Sequence, residues 1–168
     1  ISSRASQYSI ETLVRSFPIG AFGKFNLGKS YKFWGDRSHQ KDITYGFIRP
    51  ELEFRTSGLV NYAGGKLFIY PLPILGLFTG AEKGIRGLDN LDTFDCDVVH
   101  CEGEMTRQFI GARAAIAYKR FFFSTEWRKS NIEFSKTGRP YVDEITTLLG
   151  NGDDTTTVSL FVGGFKLN

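Results

Sequence analysis

Residues 17–34 read FPIGAFGKFNLGKSYKFW, from Phe17 to Trp34, and the fold follows from how they alternate. The odd positions are Phe17, Ile19, Ala21, Gly23, Phe25, Leu27, Lys29, Tyr31 and Phe33, while Gly20, Lys24, Asn26, Gly28, Ser30 and Lys32 fall between them. Successive side chains of a strand point to opposite faces, so this period of two describes a strand with one apolar and one polar face. It is long beside a globular strand of about 5 to 6 residues. Asp36–Asp42 then reads as a loop.

The same pattern recurs downstream. Tyr45–Thr56 sets Ile48, Pro50, Leu52 and Phe54 against Arg49, Glu51, Glu53 and Arg55, with Pro50 expected near a strand end or bulge because it lacks an N–H for a ladder. Ala63–Pro71 and Ile74–Lys83 alternate on either side of the stiff Pro71-Leu72-Pro73 link, which predicts an antiparallel hairpin. Ile110–Lys119 and Phe121–Arg128 form a second such pair about Lys119-Arg120. A strand within Tyr141–Leu149 and a last one over Thr156–Leu167 bring the expectation to seven or eight. Ile10, Leu13, Val14 and Phe17 recur at helical spacing and suggest a short N-terminal helix. One domain is expected over residues 1–168, with 1–16 an extension and 17–168 carrying the strands.

Composition agrees with a β-protein. Of 168 residues, 16 are Phe, 7 Tyr and 19 Gly, and aromatic rings suit a pleated surface whereas Gly weakens helices. The 21 basic and 18 acidic residues are interleaved, which speaks against a nucleic-acid surface, whose footprint is a clustered basic patch. Mean hydropathy is −0.19, and no apolar run reaches the roughly 18 residues of a helical membrane span. A membrane-crossing strand needs only about 9 to 11 residues with one apolar face, so these segments are long enough. The chain begins at Ile1 without a signal-peptide pattern and reads as a processed product or a piece of a longer one.

Short turns at Pro71–Pro73 and Lys119–Arg120, against long breaks at Asp36–Asp42, Gly84–Gly103 and Ser130–Arg139, predict short turns on one rim and long loops on the other. In architecture over residues 17 to 167, though not in any signature motif, the chain resembles the small outer-membrane barrels of Gram-negative bacteria. The resemblance implies an antiparallel up-and-down transmembrane β-barrel of about eight strands, or part of a larger one, located in the bacterial outer membrane. Such proteins commonly end in an aromatic residue, whereas this chain ends Phe165-Lys166-Leu167-Asn168.

Three groups of residues are candidates for function. Arg49, Glu51, Glu53, Arg55, Lys66, Arg113, Glu126 and Arg128 would line the lumen of a membrane barrel, pairing to plug it or lining a narrow water path. Cys96 and Cys101 are spaced for a disulfide staple, and a zinc site with His100 lacks a second ligand pair. Asp89, Asp92, Asp95, Asp97, Glu102 and Glu104 form a solvated acidic loop without EF-hand spacing. No nucleophile elbow or phosphate loop occurs. The expectation is a non-enzymatic scaffold or anchor without cofactor, contacting membrane lipid and a protein partner through its long loops. The rivals are a porin-like narrow channel and a soluble lipocalin-like barrel binding a small apolar ligand. In the membrane arrangement Phe25, Leu27, Leu67, Ile69, Leu75, Leu77, Ile116 and Phe123 point outward and Arg113 and Glu126 inward; in the soluble one these directions swap.

Overall fold

The computed structural model describes residues 5–16, 19–35, 45–57, 60–87, 95–143 and 149–165. These form β1 (Ala5–Ser16), β2 (Ile19–Gly35), β3 (Tyr45–Thr56), β4 (Val60–Leu72), β5 (Leu75–Arg86), β6 (Gly103–Tyr118), β7 (Phe121–Phe134), β8 (Tyr141–Val142), β9 (Leu149–Gly150) and β10 (Asp153–Phe165). Eight of them build one antiparallel sheet in the order β1-β2-β3-β4-β5-β6-β7-β10, and β8 pairs with β9 apart from it. The all-β reading holds. Within this sheet the strands lie in chain order, with β10 beside β7.

The sheet is not closed: β1 and β10 are its two edges. The N-terminal segment is strand and not helix, since Ala5–Ser16 pairs with β2 along its whole length, from Ala5↔Ser30 to Ser16↔Ile19. A helix this short is marginal by itself, whereas a neighbouring strand supplies every second backbone partner at once. Phe17, the fourth residue of the helical spacing, lies outside the described residues. Residues 5–16 are thus part of the sheet and not an extension beside it.

Pro50 sits in the middle of β3, away from either end. Its missing N–H is accommodated on the β2 side, where the ladder lacks pairs at Arg49 and Pro50 and resumes at Tyr31↔Ile48 before shifting register between Lys32 and Trp34. On the β4 side pairing continues through Pro50↔Leu67. The two expected hairpins are present. The first turns at Pro73-Ile74 and not over Pro71–Pro73, since Pro71 and Leu72 belong to β4 and Leu72 pairs with Leu75; the second turns at Lys119-Arg120, where Lys119 has φ of 53°. The expected strand within Tyr141–Leu149 reduces to the two-residue β8 and β9 at its ends.

The segregation of loops holds only in part. Following the strands, the connections 87–102 and 135–152 leave the same rim as 17–18 and 57–59, whereas 36–44 leaves the opposite rim with the two tight turns. The first rim carries the main apolar core. There Val99, Cys101, Tyr141 and Val142 from the two long connections pack on Val60, Tyr62, Met105, Ile132 and Phe134. Elsewhere the polarity is inverted. Phe25, Leu27, Leu67, Ile69, Leu75, Leu77, Ile116 and Phe123 are all between 39% and 60% exposed, while Glu51, Glu53, Glu82 and Arg107 on the other face are buried.

Candidate functional site: a charged concavity beneath a cap

All eight charged residues singled out in the sequence lie on the face opposite the exposed apolar side chains and line one concavity of about 750 Å³, Glu51 and Glu53 buried and Arg113 exposed. Strand alternation puts them on that face, and register decides which of them meet. Glu51 is opposite Lys66, Glu82 opposite Arg107 and Arg113 opposite Glu126 across neighbouring strands. Glu53 gathers three cations, with Arg55 at 3.1 Å, Lys24 at 3.5 Å and Lys66 in closer contact. Arg55 also reaches Glu82 at 2.5 Å, although β4 lies between their strands.

Gly64 is what permits that crossing. It lies in register between Glu53 and Glu82, and a Cβ there would stand 2.6 Å from the Ala81 carbonyl and 2.7 Å from the Glu82 Cβ. Without a side chain on β4, the Arg55 guanidinium spans two strand spacings. From Glu82 the network continues to Arg107 at 2.7 Å and on to Asp143. The described parts of the two long connections, 95–102, 135–143 and 149–152, form a cap at the rim that carries the main apolar core, and Asp143 belongs to it, so this chain of ion pairs ties the interior of the sheet to a loop. Arg86 adds a second tie by donating to the Val142 carbonyl oxygen.

The cap is itself cross-braced. The His100 backbone N–H donates to the Pro140 carbonyl at 2.8 Å, and Arg139 Nη1 donates to the carbonyls of Cys96 and Asp97 at 3.0 and 2.9 Å. Phe134 stacks on Tyr141 with centroids 4.7 Å apart. Burial, with Asp154 and Asp143 nearby adding to it, pushes the Tyr141 phenol up to about 12, because its phenolate would have neither water nor a sufficient counter-charge. Cys96 and Cys101 form the expected disulfide, with Cα atoms 5.4 Å apart. It closes the turn that carries Val99 into the core.

Below the ion-pair network the concavity changes character. Phe68, Phe78 and Phe109 form a buried aromatic group. Each of two rings has two cations over it: Arg49 and Arg113 at 6.0 and 5.8 Å from the Phe68 centroid, Lys66 and Arg128 both at 5.8 Å from that of Phe109. Glycines let the rings lie flat across the sheet. A Cβ on Gly80 would meet the Phe109 ring at 2.6 Å, and one on Gly111 the Phe78 ring at 2.3 Å. This aromatic covering of strand glycines also pins register.

The acidic loop divides. Asp89 and Asp92 lie outside the described residues. Asp95 and Asp97 are exposed in the cap, where Asp95 Oδ1 accepts the Asp97 N–H at 2.9 Å. Glu104 is on β6 and not in a loop, pairing with Lys83 at 2.7 Å, and Glu102 pairs with Lys136 at 3.3 Å. Among the described residues no group of three metal-ligating side chains occurs. Sequence reading missed Lys24, Glu82, Arg86, Arg107 and Asp143, which include some of the most buried charges of the site. Glu82 stood on a recognised alternating face. Arg107 fell before the recognised start of its strand, and Asp143 is in a loop that only the fold brings inward. No family model, curated protein or solved structure matches this chain.

Proposed function

We propose that the chain is a non-enzymatic β-barrel protein of the bacterial outer membrane, an anchor or scaffold whose lumen is plugged by its own ion pairs and cap. The observation that carries this reading is the inverted polarity: large apolar side chains exposed on one face, a connected ionic network buried on the other. A water-soluble sheet gains by burying apolar groups, and exposed apolar patches beyond a few hundred Å² mark contact with a partner or lipid. A lumen of about eight strands is just wide enough to be filled by side chains, and the ion pairs about Glu53 and Glu82 would block it on the capped side. A lipocalin-like soluble barrel would turn both faces the other way. The tight cap over one rim favours a plug over a channel.

Register supports closure into a ring. The hydrogen-bonding path runs Ser9, Asn26, Glu53, Gly64, Glu82, Arg107, Ile132, Asp154. Seven residues of β1 lie beyond Ser9 toward the capped rim, but a single residue of β10 lies beyond Asp154, so strand ends step by six residues across the sheet. Continued over the eighth pairing, the step comes to about seven. That is close to the stagger of about eight that tilts the strands of an eight-stranded barrel by roughly 36°. A stagger of eight brings Ser9 opposite Val162.

Three measurements test the proposal. The expressed chain partitions with outer membranes and needs detergent for extraction; release into aqueous buffer refutes the membrane reading. Ser9→Cys with Val162→Cys, or with Gly164→Cys at the next inward step, forms a cross-link under oxidation. Its absence at both positions refutes self-closure. In planar bilayers a plugged lumen passes no ions, whereas steady conductance selects the channel reading. Partner contacts are assigned to the cap surface, where Asp95, Asp97 and Val98 are exposed.

A further inference from the structure

The charge balance of the concavity points to a ligand. Six cations line it, Lys24, Arg49, Arg55, Lys66, Arg113 and Arg128, against three carboxylates, Glu51, Glu53 and Glu126. The cations differ in their partners. On the cap side Lys24, Arg55 and Lys66 all contact Glu53, Arg55 reaches Glu82 as well, and Arg49 pairs with Glu51. At the opposite end, neither Arg113 nor Arg128 has a carboxylate within 4.0 Å among the described residues. Glu126 is the single acid in register there, opposite Arg113. Were it to close on Arg113, Arg128 would still be left with its Nε buried and without a hydrogen-bond acceptor.

A buried guanidinium N–H without an acceptor is costly, more so than a neutral donor, and adjacent like charges in a partly dry site raise that cost. The faces of Phe68 and Phe109 hold the four cations in place through the ring quadrupole without neutralising them. A planar guanidinium resting on a ring leaves its N–H edge directed sideways, which suits two-point recognition of an oxyanion. The volume lies within the roughly 300 to 1,000 Å³ of small-molecule pockets.

We propose that the half of the concavity away from the cap is an oxyanion site, in which Arg113 and Arg128, backed by Arg49 and Lys66, bind a phosphate group. The phosphate belongs either to a soluble phosphate compound or to a lipid headgroup. The proposal rests on the concavity alone and stands or falls independently of the membrane reading.

The test is calorimetric titration of the purified full chain, in nonionic detergent at low ionic strength, first with inorganic phosphate and then with dihexanoyl phosphatidate below its micellar concentration. Saturable binding of one phosphate per chain is expected, weakened at least tenfold by Arg128→Gln and by Arg113→Gln. The outer-face control Lys129→Gln leaves it unchanged, and Arg128→Lys, which keeps the charge but loses the two-point N–H edge, weakens it less than Arg128→Gln does. A soluble source is indicated if inorganic phosphate binds as tightly as the phosphatidate, and a lipid source if the phosphatidate binds at least tenfold tighter. No saturable binding of either probe to the unmodified chain below 10 mM overturns the proposal, whether or not the variants fold. So does binding that Lys129→Gln weakens as much as Arg128→Gln.

Discussion

Replacing Arg107 by Met should be the most damaging single change in the interior, and the reason can be worked through its two partners. Arg107 is 2% exposed and holds Glu82 at 2.7 Å and Asp143 on its other side. Met fills much of the space but leaves both carboxylates. Glu82 keeps Arg55 at 2.5 Å, so its loss is partial. Asp143, 2% exposed, loses the cation that holds it in the cap. Removing one partner of a buried pair costs about 3 to 5 kcal/mol, and the retained Arg55 contact places this case near the lower end, at about 3 kcal/mol. With a urea slope of about 2 kcal/mol/M, the unfolding midpoint should fall by about 1.5 M, read from tryptophan emission. Asp143→Asn should make the second change cheaper: in that background Arg107→Met should cost about 1 to 2 kcal/mol, because no carboxylate that loses its Arg107 contact remains at position 143. A cost below about 1 kcal/mol for the single variant, or the same cost in both backgrounds, would refute the reasoning that this chain of ion pairs anchors the cap.

Other outcomes follow from the same geometry. The folded Tyr141 phenol titrates at about 12 against 10.0 for the free group, so the folded form binds an extra proton between those values. Its stabilisation is complete below pH 10 and is lost as pH rises through 12, and Tyr141→Phe should flatten that decline in a pH series of urea midpoints. Gly111→Val should cost about 1 to 3 kcal/mol by overpacking, since its Cβ would enter the Phe78 ring, and Phe78→Leu should relieve part of it in the same urea assay. If the outer face meets lipid, Leu77→Arg should reduce folding stability in vesicles by about 2 to 4 kcal/mol, while Leu77→Ala costs far less. Equal effects of Arg and Ala there would argue that position 77 faces water.

Much of this architecture is local and therefore readable along the chain. The alternation of Tyr45–Thr56 already separates Leu52 and Phe54 from Glu51 and Glu53, because a pleated backbone sends neighbours to opposite faces whatever the rest of the molecule does. The hairpins about Pro73-Ile74 and Lys119-Arg120 and the Cys96–Cys101 bridge depend on short spans and were legible for the same reason. The N-terminal segment was misread because Ile10, Leu13 and Val14 fit a helical period as well as a strand. Only the ladder with β2 arbitrates between them.

Which charges meet, and what closes over them, required the fold. Arg55 reaches Glu82 because register sets Gly64 between their strands, and Arg107 meets Asp143 because the connection after β7 turns back over the sheet. Both contacts join residues 27 or more apart in sequence. Sequence by itself determined the two faces of each strand and which charges share one. Tertiary structure decided the register, the open edges at β1 and β10, and the cap, since a side chain's face is a property of its own backbone whereas its partner depends on how distant segments are aligned.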